Sequence, residues 1–378
     1  MKKYSLKALI LSVIAAVVAT AVVLSAAVYA YIGPGGRTLL AANWYVQNRF
    51  VGAFDEKLWL DGTLEAMARS LGDRWSYYSS PEVYAEQNAS RDGSFVGIGV
   101  TVRYEGDEGM LLASIYPGSP AETAGLLVGE RITAVEGEPV TAENSGELTG
   151  RIGGEEGTEV SLEITGVDGA VRTVVVVRAR VAAQPVLGEL DGEIAVVSYG
   201  RFYMESAVKF EAVVDDLLTQ GMKAMVLDLR GNGGGYLPEL TEVLDYLLPE
   251  GPIFTAIDHE GKEEITYSDA DWIGVPIVVL VNEGTYSAAE FCAAQLRESV
   301  GALIVGAATT GKGYSQQAFS LPNGGAMNIS SAEYRTGGGV SLAQDGITPD
   351  YVVENTAEDD LQMAKALEVI RKLLAENY

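Results

Sequence analysis

An almost uninterrupted apolar run from Ala8 to Ile32 opens the chain, preceded by Lys2, Lys3 and Lys7. About 20 such residues cross a bilayer as a helix, so the run predicts a membrane helix. Its basic flank stays cytoplasmic, and everything after Gly33 lies outside the cytoplasm. Small residues at Ser25-Ala26-Ala27 and Val28-Tyr29-Ala30 keep cleavage as a signal peptide open as the alternative, and either outcome exports the body. Between Thr38 and Tyr84, Leu58, Leu60, Leu64, Met67 and Leu71 recur at helical spacing. With the polar-aromatic stretch Asp73-Arg74-Trp75-Ser76-Tyr77-Tyr78 that follows, they predict a small helical cap.

From Phe95 to about Arg180 the period shortens. Alternating apolar segments at 97–102, 111–115, 131–135, 160–164 and 171–177 are separated by glycine turns and predict a compact, mostly β domain. From Ile194 onward the pattern alternates between strands at 194–198, 224–229, 277–281 and 302–305 and helices at 206–218 and 287–300. A final helix runs from Leu361 to Glu376. These strands are too uniformly apolar to be half exposed, which predicts an α/β body with both sheet faces covered.

Length and composition agree with several domains: 378 residues, 48% of them apolar, suffice for a sizeable core. Set against 52 Asp+Glu, the 26 Lys+Arg leave a net charge of −26, a field that repels polyphosphates and excludes nucleic acid as a partner. Cys292 is the only cysteine and His259 the only histidine, which rules out an intramolecular disulfide and any site built on several Cys or His ligands. A Ser-His-Asp hydrolase would have to use His259, which sits in the polar turn Asp258-His259-Glu260-Gly261.

Three segments carry candidate chemistry. Val226-Leu227-Asp228-Leu229-Arg230 runs into Gly231-Asn232-Gly233-Gly234-Gly235, whose amides can face a developing anion; the Gly-Lys-Ser/Thr ending of a phosphate loop is absent. Val281 to Glu290 is a strand, a bend and a helix start that puts Ser287 beside unsatisfied helix amides, although Ser287-Ala-Ala-Glu290 is also a capping-box pattern. Thr309-Thr310-Gly311-Lys312-Gly313 sets a lysine between glycines, with Gln316 four positions on. To act as a base Lys312 must be neutral, a shift of about 3 units from the ordinary lysine value, which only a desolvating pocket supplies.

In order and spacing, these segments with Asp345-Gly346-Ile347-Thr348-Pro349-Asp350 resemble the carboxy-terminal processing proteases of the S41 family. The β segment resembles a PDZ domain. Phe95-Val96-Gly97-Ile98-Gly99-Val100 stands at that family's carboxylate-binding loop, followed by Pro117-Gly118-Ser119-Pro120-Ala121, Ala124-Gly125-Leu126, Gly129-Glu130-Arg131-Ile132 and Val135-Glu136-Gly137.

The resemblance implies a Ser/Lys dyad, with Ser287 as nucleophile, Lys312 as general base and Gln316 positioning the lysine. Amides of Gly233 or Gly234 with that of Ala288 would form the oxyanion hole, and Val96, Gly97, Ile98 and Gly99 would take a peptide carboxylate. No metal or organic cofactor is implied. The implied architecture is a membrane signal-anchor (1–36), a helical cap (37–92), a PDZ-like domain (93–180) and a crotonase/ClpP-like α/β catalytic core with its C-terminal helix (181–378). Expected partners are proteins or peptides with free C-termini and the membrane. The apolar faces of the first helical segment and last helix are candidate contacts for a homodimer or higher oligomer. Rival readings are a catalytically silent PDZ-bearing envelope scaffold and an acyl-CoA enzyme, which the exported location disfavours.

Three positions depart from the family pattern. Tyr286 replaces a small residue, Gly233 replaces proline, and Gly153, between Ile152 and Gly154, replaces the arginine that couples the PDZ domain to the active site; Arg151 stands on the other side of Ile152.

Overall fold

The computed structural model describes residues 6–104, 109–343, 345–356 and 359–376; Lys2 and Lys3 of the basic flank lie outside the described residues. The chain divides into two compact units, Met1–Thr63 and Leu64–Tyr378.

The first unit is dominated by α1 (Leu6–Arg49), whose apolar side chains are exposed and whose composition and length suffice to cross a membrane. Its ladder breaks at Gly33 (φ 65°, ψ 178°), just ahead of Pro34, which has no N–H to donate and clashes with a continuing helix. Helix α2 (Glu56–Arg69) begins in this unit, where Trp59 Nε1 donates to Asn43 Oδ1 at 3.1 Å. The periodic Leu58, Leu60, Met67 and Leu71 are all exposed.

In the second unit the stretch at 73–78 departs from the helical expectation. It is a turn leading into a strand, β1 (Tyr77–Ser79), and only then does α3 (Pro81–Ala89) follow. Tyr77 pairs with Asn328 and Ser79 with Ala326, a pairing across some 250 residues that local periodicity cannot reveal.

The β domain comprises β2 (Phe95–Gly97), β3 (Val100–Tyr104), β4 (Met110–Ile115), α4 (Pro120–Thr123), β5 (Arg131–Val135), β6 (Glu138–Pro139), α5 (Ser145–Ile152), β7 (Glu159–Thr165), β8 (Val171–Val177) and β9 (Ala179–Val181). Its sheet runs β3-β4-β5-β7-β8 with β6 beside β5, while β2 pairs with β9. Leu112, Ile132, Leu148, Leu162 and Ile164 fill its core. The segment read as one strand at 97–102 is interrupted at Ile98-Gly99. Gly99 has φ 78° and lies against the Ser119 side chain, a backbone conformation and a closeness that only glycine accepts readily.

The remaining elements are β10 (Val186–Asp191), β11 (Ile194–Tyr199), α6 (Ser206–Thr219), β12 (Ala224–Asp228), α7 (Leu237–Leu247), β13 (Gly251–Asp258), β14 (Glu263–Ser268), β15 (Ile277–Val281), α8 (Ala288–Val300), β16 (Leu303–Gly306), β17 (Tyr314–Ser320), β18 (Ala326–Thr336), β19 (Tyr351–Val352) and α9 (Leu361–Glu376). A six-stranded sheet runs β10-β11-β12-β15-β16-β19, parallel from β11 to β19. Ala195, Val197, Met225, Leu227 and Val279 pack with Phe210, Val243 and Phe291 of α6, α7 and α8. Ile194, Val196, Val226, Val278 and Leu280 pack with Ala366, Val369 and Ile370 of α9. Helices on both faces explain the unbroken apolar strands.

A second, antiparallel sheet was not legible in the sequence. It runs β1-β18-β13-β14, with β17 also on β18. Its strands are largely half-exposed and polar on one side, so they lack the uniform apolar signal of the buried sheet.

One glycine joins the two edges that matter for the site. Gly306 (φ 135°) pairs with Val281, the last residue of β15, and a Cβ there would collide with the Val281 carbonyl. Gly306→Ala is expected to cost about 2–4 kcal/mol and to lower the urea midpoint. A midpoint equal to that of the parent would show that the contact is not constraining.

Candidate active site

The C-terminal edge of the parallel sheet supplies the first two walls. After β12, Asp228 pairs with Arg230 at 2.6 Å, and Arg230 reaches Asp360 at 2.8 Å. Asn232, fully buried, then locks the glycine loop. Its Nδ2 donates to Tyr199 O at 2.7 Å, its Oδ1 accepts from Gly234 N at 2.8 Å, and its carbonyl accepts from Tyr286 N at 3.1 Å. The Gly234 amide is therefore engaged within the loop, whereas Gly233 faces the cleft. Gly234 (φ 78°) packs so closely on Ser287 and the Ala288 amide that a side chain would not fit.

After β15, the turn at 282–285 is closed by Thr285 Oγ1, which donates to Leu229 O at 2.8 Å and accepts from Asn282 N at 3.0 Å. Ser287 follows with φ 60° and ψ −128°, a strained conformation that costs a non-glycine residue of order 1–3 kcal/mol and occurs chiefly at functional sites. It sits at the N-cap of α8, and Ala288 is the helix's first residue. The expected helix therefore begins one residue later, with the serine at the corner.

Lys312 enters from the loop between β16 and β17. What brings it to Ser287 is Glu290, a fully buried carboxylate on α8. Glu290 accepts from Ser287 N (2.8 Å), Gly311 N (2.7 Å), Lys312 N (2.9 Å) and Thr309 Oγ1 (2.5 Å). The capping glutamate anticipated from Ser287-Ala-Ala-Glu290 thus also ties the lysine loop to the serine corner, a role that spacing along one helix could not signal.

Ser287, Ala288, Gly233, Lys312 and Gln316 all line one cleft of about 630 Å³, which Trp75, Tyr286 and Arg201 also border. The Lys312 Nζ lies 4.9 Å from the ring centre of Trp75 and 5.9 Å from that of Tyr286, and the two rings stack at 6.1 Å. Burial and the charge of Arg201 push the Lys312 amine below the ordinary lysine range, against the opposing pull of Asp73 and Glu290. Two of the sequence's unusual residues are complementary here. The Tyr286 hydroxyl lies 2.5 Å from where a Cβ on Gly233 would stand, so the tyrosine fits because residue 233 is glycine.

Gln316 lies in β17. Its amide nitrogen donates to Tyr314 O at 3.0 Å and to Ser330 Oγ at 3.2 Å. Ser330 Oγ donates in turn to Asp73 at 2.6 Å, which also accepts from Ser76 Oγ at 2.6 Å. Among the described residues, Gln316 makes no hydrogen bond with Lys312. Sequence reasoning missed Trp75, Asp73 and Ser330, whose contributions rest on the β1–β18 pairing. His259 is exposed in the turn between β13 and β14 and does not line the cleft. Cys292 is fully buried, and its thiol is pushed up to about 12 by burial.

In the β domain, Val96 and Gly97 pair with β9. Ile98 O accepts from Ala121 N, and Gly99 O from Tyr116 N, each at 2.9 Å. Of the four predicted carboxylate-loop residues, Ile98 and Gly99 therefore lie beside α4 and its cap Ser119, and β3, which follows them, is an edge strand of its sheet.

Residues 193–353 match the model for peptidase family S41, and residues 112–165 that for a PDZ domain. The carboxy-terminal processing protease CtpA of Bacillus subtilis is 32% identical over 303 residues, covering 79% of this chain and 65% of that protein. A carboxyl-terminal-processing protease of a Picosynechococcus species is 32% identical over 322 residues, covering 80% and 77%. Among solved structures, the photosystem II D1 C-terminal processing protease aligns with a TM-score of 0.54 at 27% identity, over 86% of this chain and 88% of that one. The chain thus spans just under two thirds of the length of the Bacillus relative. With a serine corner, a lysine loop and a glycine loop facing one cleft, and relatives of this identity and coverage, the chain belongs to peptidase family S41 and carries a PDZ domain.

Proposed function

We propose that this protein is a membrane-anchored endopeptidase that uses Ser287 and Lys312 to cleave exported or envelope proteins near their C-termini. The observation that carries the reading is the Glu290 carboxylate, which holds the serine corner and the lysine loop on one cleft. In the proposed cycle the neutral Lys312 amine takes the Ser287 hydroxyl proton as Oγ attacks the scissile carbonyl. The oxyanion forms against the amides of Gly233 and Ala288 at the N-terminus of α8. The lysinium then protonates the leaving amine, giving an acyl-enzyme, and a water deprotonated by the same lysine hydrolyses it.

Gln316, held through Ser330 to Asp73, braces the cleft wall beside the lysine in this reading. The substrate's tail docks as an added strand on β3, with its carboxylate toward 96–99. The apolar helix α1 anchors the enzyme with its body outside the cytoplasm.

Ser287→Ala and Lys312→Ala are each expected to lower kcat/KM on an unfolded protein substrate by about 10³-fold or more; undiminished proteolysis by either variant refutes the dyad, and no cleavage by the parent favours a scaffold.

The pH profile has a sign fixed by the lysine. Because burial and Arg201 disfavour the charged amine, kcat/KM rises with pH and levels off below the ordinary lysine value of 10.5. Arg201→Gln moves that midpoint upward, since the lysinium loses a repelling neighbour; a profile flat from mildly acid to alkaline pH excludes a neutral-lysine base.

Glu290 separates charge from shape. Glu290→Ala leaves four donors without their acceptor, at a cost of about 3–5 kcal/mol. Glu290→Gln turns an NH₂ toward those donors and is expected to impair urea stability and turnover nearly as much. Full activity of the glutamine variant would argue against the carboxylate's joining role.

A further inference from the structure

The cleft does not end at the dyad. It continues into a second chamber of about 600 Å³ that shares Tyr77, Arg201, Gly235, Tyr236, Gln316 and Gln317 with it and adds Arg91. Although the chain has twice as many acidic as basic residues, neither chamber has an Asp or Glu among its lining residues. Their charged groups are Lys312, Arg201 and Arg91 alone.

Both arginines are exposed, and neither forms an ion pair among the described residues. The guanidinium of Arg201 lies 5.7 Å over the ring of Tyr203. The Asp92 carboxylate, next to Arg91, is turned to Ser94 N at 2.9 Å. Both arginines act on one point, since each draws the Tyr236 hydroxyl down against the effect of its burial. A strongly acidic protein that keeps two arginines unpaired in a chamber open to its catalytic cleft leaves them for an anionic ligand.

We infer that Arg91 and Arg201 form a subsite for an acidic side chain of the bound peptide, so that the enzyme selects substrates bearing Asp or Glu within a few residues of the scissile bond. This rests on the peptidase reading of the same cleft. Guanidinium groups favour carboxylates through forked, charge-assisted hydrogen bonds, and Gln317 of the chamber carries a neutral amide beside them. The site is distinct from residues 96–99 of the β domain, which do not line either chamber.

The test uses the full-length protein and short fluorogenic peptides of one sequence, with Glu or Gln flanking the cleaved bond. Expected is a preference of about 10-fold or more in kcat/KM for the Glu member of the Glu/Gln pair. In the Arg91→Gln/Arg201→Gln double variant the ratio within that pair falls toward one, a self-normalised readout that changes in overall rate do not move.

Binding of the same peptides to Ser287→Ala, followed by fluorescence anisotropy, reads the subsite without turnover. If the parent cleaves Glu and Gln forms equally, or the double variant keeps the parent's Glu/Gln ratio, the subsite is refuted and the peptidase reading stands. If arginine-dependent binding of the acidic peptide occurs with no cleavage by the parent, the peptidase reading falls and the carboxylate site stands.

Discussion

The fully buried carboxylate of Glu290 holds the site together. It stands in the first turn of α8, where the helix dipole favours negative charge, and it accepts hydrogen bonds from two chain segments separated by more than twenty residues. A buried carboxylate is tolerable only when its lone pairs are satisfied, so this group accepts nothing less than the complete arrangement. If the lysine loop withdrew, its charge would be left short of donors. If the serine corner relaxed from its positive φ, the Ser287 amide would leave it. Local strain at Ser287 and the placement of Lys312 are therefore tied to one carboxylate, reinforced by Thr310, which donates to the carbonyls of Glu283 and Thr285, and from the other side by Asn232, which fastens the glycine loop to Tyr286.

The electrostatics of the cleft run against those of the molecule. A net charge of −26 favours protonated lysines on average, yet Lys312 is pushed the other way by burial and by Arg201. The desolvating walls are Trp75 and Tyr286, whose stacked rings border the amine. Tyr286 owes its place to Gly233, so two departures from the family pattern, unrelated when read along the chain, form one fitted contact in space. Rings so placed act in two senses: their apolar bulk excludes water and disfavours the lysinium, while their faces attract it. Burial, with the charge of Arg201, sets the downward direction at Lys312.

Periodicity and turn chemistry carried the central strands β11, β12, β15 and β16, the helices α6, α8 and α9, the β domain and the apolar N-terminal helix, because each is decided by neighbours within a few residues; the outer strands β10 and β19 carry no such signal. Val226, Val278 and Leu280 must be apolar since α9 covers one face of their sheet, while α6, α7 and α8 cover the other. The candidate residues Ser287, Lys312, Gln316, Gly233 and Ala288 were nameable from motif order, and they share a cleft. Singly, however, Ser287-Ala-Ala-Glu290 was a helix cap and Gly311-Lys312-Gly313 a loop. Nothing local distinguishes a capping glutamate from one that also binds a second segment.

What tertiary structure alone decided is the second sheet and everything it delivers. β1 lies beside β18 through partners such as Tyr77 and Asn328, and this pairing carries Trp75 to the lysine and Asp73 to Ser330. These strands are largely polar and half-exposed, so their register comes from long-range hydrogen bonding rather than from a hydrophobic period. The sequence by itself determined which residues could react and which strands had to be buried, because chemical type and local periodicity reside in each segment. Whether Lys312 is desolvated, which glycine lines the cleft and that Arg91 and Arg201 border one chamber were decided by distant segments packing together, since desolvation and shared surroundings are properties of space rather than of chain position.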